Sequence, residues 1–163
     1  MDTFYTYTYL NALGTYVNLK AGDIYQFRIK ARNIVGDSAS YATVSVMAAT
    51  LASAPGAPTR KFSSETSIGI QWTAPADNGG TPITDYQVFW DSGVGGAYTL
   101  LGNSLNTLEY TPSYTLNTGY TYRFKVKAVN YIGVGPESAS VSVIAASYPD
   151  EPTAPYLFQA SQN

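Results

Sequence analysis

Residues 19–36, LKAGDIYQFRIKARNIVG, and residues 116–133, LNTGYTYRFKVKAVNYIG, carry one pattern twice. A shift of 97 residues lays Gly22 on Gly119, Tyr25 on Tyr122, Phe27 on Phe124, Ala31 on Ala128, Asn33 on Asn130 and Gly36 on Gly133. No insertion or deletion is needed. The same shift carries Val44-Ser-Val46 onto Val141-Ser-Val143 and Pro55-Gly-Ala-Pro58 onto Pro152-Thr-Ala-Pro155. Inside the second stretch, Tyr122, Phe124, Val126 and Ala128 alternate with Arg123, Lys125 and Lys127. A period of two places apolar side chains on one face of a strand and cations on the other. A repeat of this length is a whole small domain, because a two-sheet sandwich takes about 100 residues.

The Pro-rich segments, Ala54 to Pro58 and Pro149 to Pro155, fall where one copy hands over to the next. Proline stiffens such a joint and cannot continue a central ladder. The sequence therefore divides into residues 1–54, the C-terminal half of a repeat; residues 55–149, one complete domain; and residues 150–163, a linker with the first strand of a following repeat. Within the complete copy, strands are predicted over Ser67–Thr73, Ile83–Asp91, Tyr98–Leu101, Leu105–Thr111, Tyr120–Val129 and Ala139–Ala145. Ile68, Ile70 and Trp72 share one face of their strand, and Tyr86, Val88 and Trp90 share one face of theirs. Short strands with turn signals and no amphipathic helix imply two packed antiparallel sheets, an all-β architecture.

Composition supports an ordered sandwich and removes much chemistry. Of the 163 residues, 45 % are hydrophobic and 12 % charged, with 15 Tyr against 2 Met. That apolar share is enough to offset ordering entropy, and the Tyr, Thr and Val vocabulary suits strands. A net charge of −2 supplies no global field for nucleic acid or acidic membranes. No apolar run reaches the roughly 18 residues of a membrane-spanning helix. Cysteine and histidine are both absent, which removes thiolate nucleophiles, imidazole bases and the usual zinc ligands.

The ensemble of motifs resembles a fibronectin type III domain. It comprises Pro-x-x-Pro before the first strand, Trp72 in the second, and Asn78-Gly-Gly80 followed by Ile83-x-x-Tyr86-x-Val88 in the third. The sixth strand carries Leu116-x-x-Gly119-x-x-Tyr122-x-Phe124-x-Val126-x-Ala128-x-Asn130-x-x-Gly133. The resemblance implies an immunoglobulin-like β-sandwich of that kind, in tandem repeats. It also implies that Trp72, Tyr86, Tyr122 and Phe124, with Tyr25 and Phe27 of the first copy, are structural core residues. Tyr122 and Tyr25 would be corner tyrosines whose hydroxyls bond back near Leu116 and Leu19. The first copy has no counterpart of the stretch from Pro58 to Ala97, so it lacks equivalents of Trp72 and Tyr86. Half a sandwich exposes its inner face and strand edges.

Candidate sites are few. Arg123, Lys125 and Lys127 form an outward basic row, and Phe89 turns outward beside them, a possible protein-contact face through packing and cation–π attraction. Arg28, Lys30 and Arg32 form a similar row in the first copy. Both rows read first as solvated strand faces, since each is only three charges. Asp77 and Asp85 flank the Asn-Gly-Gly turn, but two carboxylates are too few for a calcium cage. The alternating run from Phe4 to Tyr9 fits a strand or a Tyr-rich contact surface. No catalytic, cofactor or metal site is expected.

These readings point to a non-catalytic structural and protein-interaction module. In this reading the module is a spacer and binding scaffold within a larger adhesion, receptor or filament-associated protein. The alternative is an accessory spacer of a secreted polysaccharide-degrading enzyme. The expected partners are neighbouring repeats of the same parent chain and an unidentified protein, with strand-donating self-association also open. An extracellular or cell-surface setting is expected, a cytoskeletal one being the alternative.

Overall fold

The computed structural model describes residues 19–154. The Phe4–Tyr9 run and the expected start of a third copy beyond Ala154 lie outside the described residues. All named elements are strands: β1 (Ile24–Ile29), β2 (Ala42–Met47), β3 (Thr59–Ser63), β4 (Ile68–Gln71), β5 (Ile83–Trp90), β6 (Thr99–Leu105), β7 (Glu109–Tyr110), β8 (Thr121–Asn130), β9 (Gly133–Glu137) and β10 (Val141–Ile144). No helix among the described residues is long and apolar enough to cross a membrane.

β3 to β10 form an immunoglobulin-like sandwich. One antiparallel sheet runs β3-β4-β7, and the other runs β10-β8-β5-β6 with β9 also on β8. The inner faces meet in a core of Ile68, Ile70 and Trp72 against Tyr86, Val88, Tyr122, Phe124, Val126, Ala128 and Val143. Along β8 every second residue is buried from Tyr122 to Asn130, as pleating requires. Trp72 meets Tyr86 edge to face at 5.5 Å, and Trp90 stacks on Tyr122 at 5.7 Å. The Tyr122 hydroxyl accepts from the Asn117 N–H at 2.9 Å, tying the loop before β8 to the strand.

Three expected strands differ from those observed. The stretch Tyr98–Leu101 is the start of a longer strand ending at Leu105. Leu105–Thr111 is no single strand, because Leu105 pairs with Tyr86 in one sheet while Tyr110 pairs with Ile70 in the other. A continuous strand cannot serve both sheets, and the crossing leaves only two residues in β7. The last strand starts earlier, at Gly133, and is interrupted at Ser138. There the Ser138 N–H donates to Val126 O and its Oγ accepts from the Val126 N–H, so side chain replaces backbone in the ladder.

Upstream, β1 and β2 form a separate antiparallel pair whose register, Tyr25 with Val46 and Phe27 with Val44, matches Tyr122 with Val143 and Phe124 with Val141 in β8 and β10. The Tyr25 hydroxyl accepts from the Lys20 N–H at 2.8 Å, the counterpart of the Tyr122 bond. Tyr25 and Phe27 are half-buried rather than core, which corrects the expectation for them. No second sheet among the described residues closes over this pair, and Ile24, Ile29, Val44 and Val46 stay exposed.

Candidate interaction face and linker joint

The outward face of β5 and β8 collects Phe89, Arg123, Lys125 and Lys127, as alternation of two adjacent paired strands dictates. Phe89 is half-buried beneath Lys127, whose Nζ lies 5.0 Å from the ring centroid. Lys125 Nζ lies 4.4 Å from the Tyr98 ring, with the Arg123 guanidinium 6.0 Å from it. The three cations share two carboxylates. Arg123 Nε donates to Asp91 Oδ2 at 2.6 Å, and Glu137 takes Lys125 at 2.8 Å and Lys127 at 3.4 Å. The row is therefore mostly offset, and the small remaining positive charge is screened by salt.

Asp91 is the most enclosed charge here, with a side chain 1 % exposed. Burial alone would raise its carboxyl pKa. Hydrogen bonds from the Arg123 N–H, the guanidinium and the Gly93 N–H outweigh that and hold it below the usual carboxylate range. Glu137 is lowered by its bond from Lys125, which in turn raises the Lys125 ammonium. In the first unit, Arg28 lies over Tyr41 at 4.6 Å and Arg32 faces Asp37 at 3.5 Å. Asp77 Oδ1 accepts from the Gly79 N–H at 2.8 Å, which is turn chemistry.

Sequence reasoning passed over a second site, the joint between the β1–β2 pair and the sandwich. The linker does not hang free. The Thr50 N–H donates to Gly79 O at 2.8 Å, the Ser53 N–H to Asp77 O at 2.9 Å, and Ser53 Oγ accepts from the Asp77 N–H at 3.1 Å. Asn130, 3 % exposed, completes the clasp: its Nδ2 donates to Thr50 O at 2.8 Å and to Asn78 O at 2.9 Å. Its Oδ1 accepts from the N–H groups of Ile132 and Gly133. Ala52 between these contacts is 1 % exposed and belongs to the sandwich core. Gly79 and Gly80 sit at φ 73° and 84°, and side chains there would collide with the Thr50 carbonyl and the Gly22 backbone respectively. Backbone therefore packs directly on backbone, which only glycine permits. The signal was present in the repeated Asn-x-x-Gly, but its partners lie 52 and 80 residues away.

The Fibronectin type III domain profile matches residues 53–144. The chain belongs to the fibronectin type III family. It is similar to the titin homolog of Caenorhabditis elegans, 28 % identical over 77 % of this chain and 1 % of that protein. It is likewise similar to exoglucanase B of Cellulomonas fimi, 30 % identical over 79 % of this chain and 12 % of that protein. Among solved structures, a multidomain fragment of titin superposes with a TM-score of 0.63 at 26 % identity, covering 81 % of this chain and 44 % of the fragment. The chain thus spans a small fraction of the length of these curated relatives.

Proposed function

We propose that this fibronectin type III segment is a non-catalytic spacer and binding scaffold within a tandem array, residues 1–54 being the end of one copy and 55–149 the next. The observation that carries this reading is the joint. A linker clasped by hydrogen bonds on both its N–H and C=O groups, with Ala52 sunk in the core, transmits orientation instead of acting as a loose tether. The matching register and tyrosine bonds of β1–β2 and β8–β10 support the repeat, as does the length of titin fragment that superposes. The similarity to titin supports a parent of many such modules.

Backbone ¹⁵N relaxation tests the reading directly. One rotational diffusion tensor for residues 24–47 and 59–144 is expected, and independent tumbling of the two would sink the spacer role. The Phe89, Arg123, Lys125 and Lys127 face is the proposed contact for a protein partner. Its cations are paired, so recognition there rests on packing against ring and alkyl surface. A partner that leaves the amide signals of Phe89, Lys125 and Lys127 unshifted would place the contact elsewhere.

A second reading, an accessory spacer beside a polysaccharide-degrading catalytic domain, is favoured by the similarity to exoglucanase B. A catalytic domain encoded in the same gene would decide for it.

A further inference from the structure

The backbone surface that the β1–β2 unit presents to the sandwich recurs, uncovered, at the sandwich's own far end. Gly22 and Gly119 adopt φ values of 92° and 81°. The Gly22 N–H donates to Ala48 O at 2.8 Å, and the Gly119 N–H donates to Ala145 O at 2.7 Å. The return bonds match as well, from Ala48 N–H to Asp23 O and from Ala145 N–H to Tyr120 O, both 2.9 Å. Two ends of the chain thus carry the same template, 97 residues apart.

Their surroundings differ. Gly22 lies under the Gly80 backbone, whereas among the described residues nothing stands within 4 Å of where a β-carbon on Gly119 would be. Leu51, 46 % exposed, has its Cδ2 3.3 Å from where a β-carbon on Gly133 would stand, and its counterpart Tyr148 is 89 % exposed. From this we infer that Gly119 and the segment Ser147–Asp150 form a docking surface for the Asn-Gly-Gly turn of a further copy of this domain; the inference rests on the array reading above.

The replacements along the segment fit that occupant. Pro149 stands where Ala52 stands, and the Ala52 N–H makes no hydrogen bond among the described residues, so proline forfeits none. Asp150 stands for Ser53, and its carboxylate can accept the backbone N–H that Ser53 Oγ accepts. The contact also selects its partner. A β-carbon on the incoming turn at the Gly80 position would meet backbone at Gly119, so a domain without glycine there cannot seat. Recognition is backbone against backbone, with Tyr148 covered by the turn that holds the incoming Asn130 and Gly133.

The test extends the chain in register, residues 1–154 followed by a second copy of residues 58–154. Because the sequence has no cysteine, introduced pairs take spin labels cleanly. Gln26→Cys with Asn106→Cys spans the first joint, and Asn106→Cys in both complete copies spans the second. Pulsed dipolar spectroscopy should give equally narrow distance distributions across both. Gly80→Ala in the added copy should broaden the second by about twofold and leave the first unchanged, since the strained contact can no longer form. Should that variant fail to fold by tryptophan fluorescence, Tyr148→Asp at the exposed site serves instead, with the same broadening expected. A narrow first joint with a broad second one overturns this inference and leaves the array reading standing. Breadth at both joints removes the spacer reading itself. A narrow second joint indifferent to the folded variants would show that the docking contact lies elsewhere and overturn the assignment.

Discussion

Replacing Asn130 by alanine removes four hydrogen bonds from one buried point. Nδ2 serves Thr50 O at 2.8 Å and Asn78 O at 2.9 Å, while Oδ1 serves the N–H groups of Ile132 at 3.0 Å and Gly133 at 3.2 Å. A neutral hydrogen bond contributes about 1 kcal/mol net, and a buried carbonyl left without a donor costs about 1–3 kcal/mol. Ile132 is half exposed, so the N–H groups of that turn can find water. The Thr50 and Asn78 carbonyls lose the shared Nδ2 donor that ties the linker to the turn. The expected loss is about 3 kcal/mol. Both tryptophans, Trp72 and Trp90, belong to the sandwich, so urea unfolding followed by tryptophan fluorescence reports that part alone. With a slope of about 2 kcal/mol per M urea, the midpoint should fall by about 1.5 M. Asn33→Ala removes the matching cap on Val35 and Gly36 in the exposed β1–β2 unit, and should leave this midpoint within about 0.2 M. A fall of less than about 0.5 M for Asn130→Ala would refute the account of the clasp.

Two further outcomes are expected. Thr81 Oγ1 is buried with no hydrogen-bond partner among the described residues, so Thr81→Val should be neutral or stabilising by up to about 1 kcal/mol; a clear loss in the same urea assay would reveal a partner for the hydroxyl. Asp91 has its folded pKa below the ordinary 3.8, so its stabilisation is present above roughly pH 4 and is lost as pH falls through the lower folded value. Thermal melts from pH 7 to pH 2 should therefore fall less steeply for Asp91→Asn than for the unaltered chain, with the residual acid sensitivity coming from Glu137, which is lowered likewise. Parallel acid limbs would show that Asp91 contributes no such linkage.

The architecture was legible because its signal is local. Alternation along Tyr122–Ala128, with Ile68, Ile70 and Trp72 on one strand and Tyr86 and Val88 on another, follows from pleating, whose period of two is set by backbone geometry alone. Strand ends were less legible. Leu105 and Tyr110 look continuous in sequence, yet they belong to different sheets, and Ser138 interrupts a ladder by hydrogen-bonding Val126 with its side chain. Such breaks depend on which strand lies alongside, and local pattern does not carry that information.

The same division runs through the candidate sites. Sequence by itself determined the sandwich class, the recurrence of one motif 97 residues apart, the outward placement of Phe89 beside three cations, and the absence of cysteine and histidine chemistry. Only the tertiary structure decided that those cations are matched by Asp91 and Glu137. It likewise decided that Asn130 reaches Thr50 and Asn78 across the joint, and that Gly80 rests on Gly22. Those pairings join residues 10 to 80 positions apart, through loops whose closure a strand pattern does not specify. Face and period are properties of a strand, whereas charge pairing and backbone clasping are properties of the space between strands.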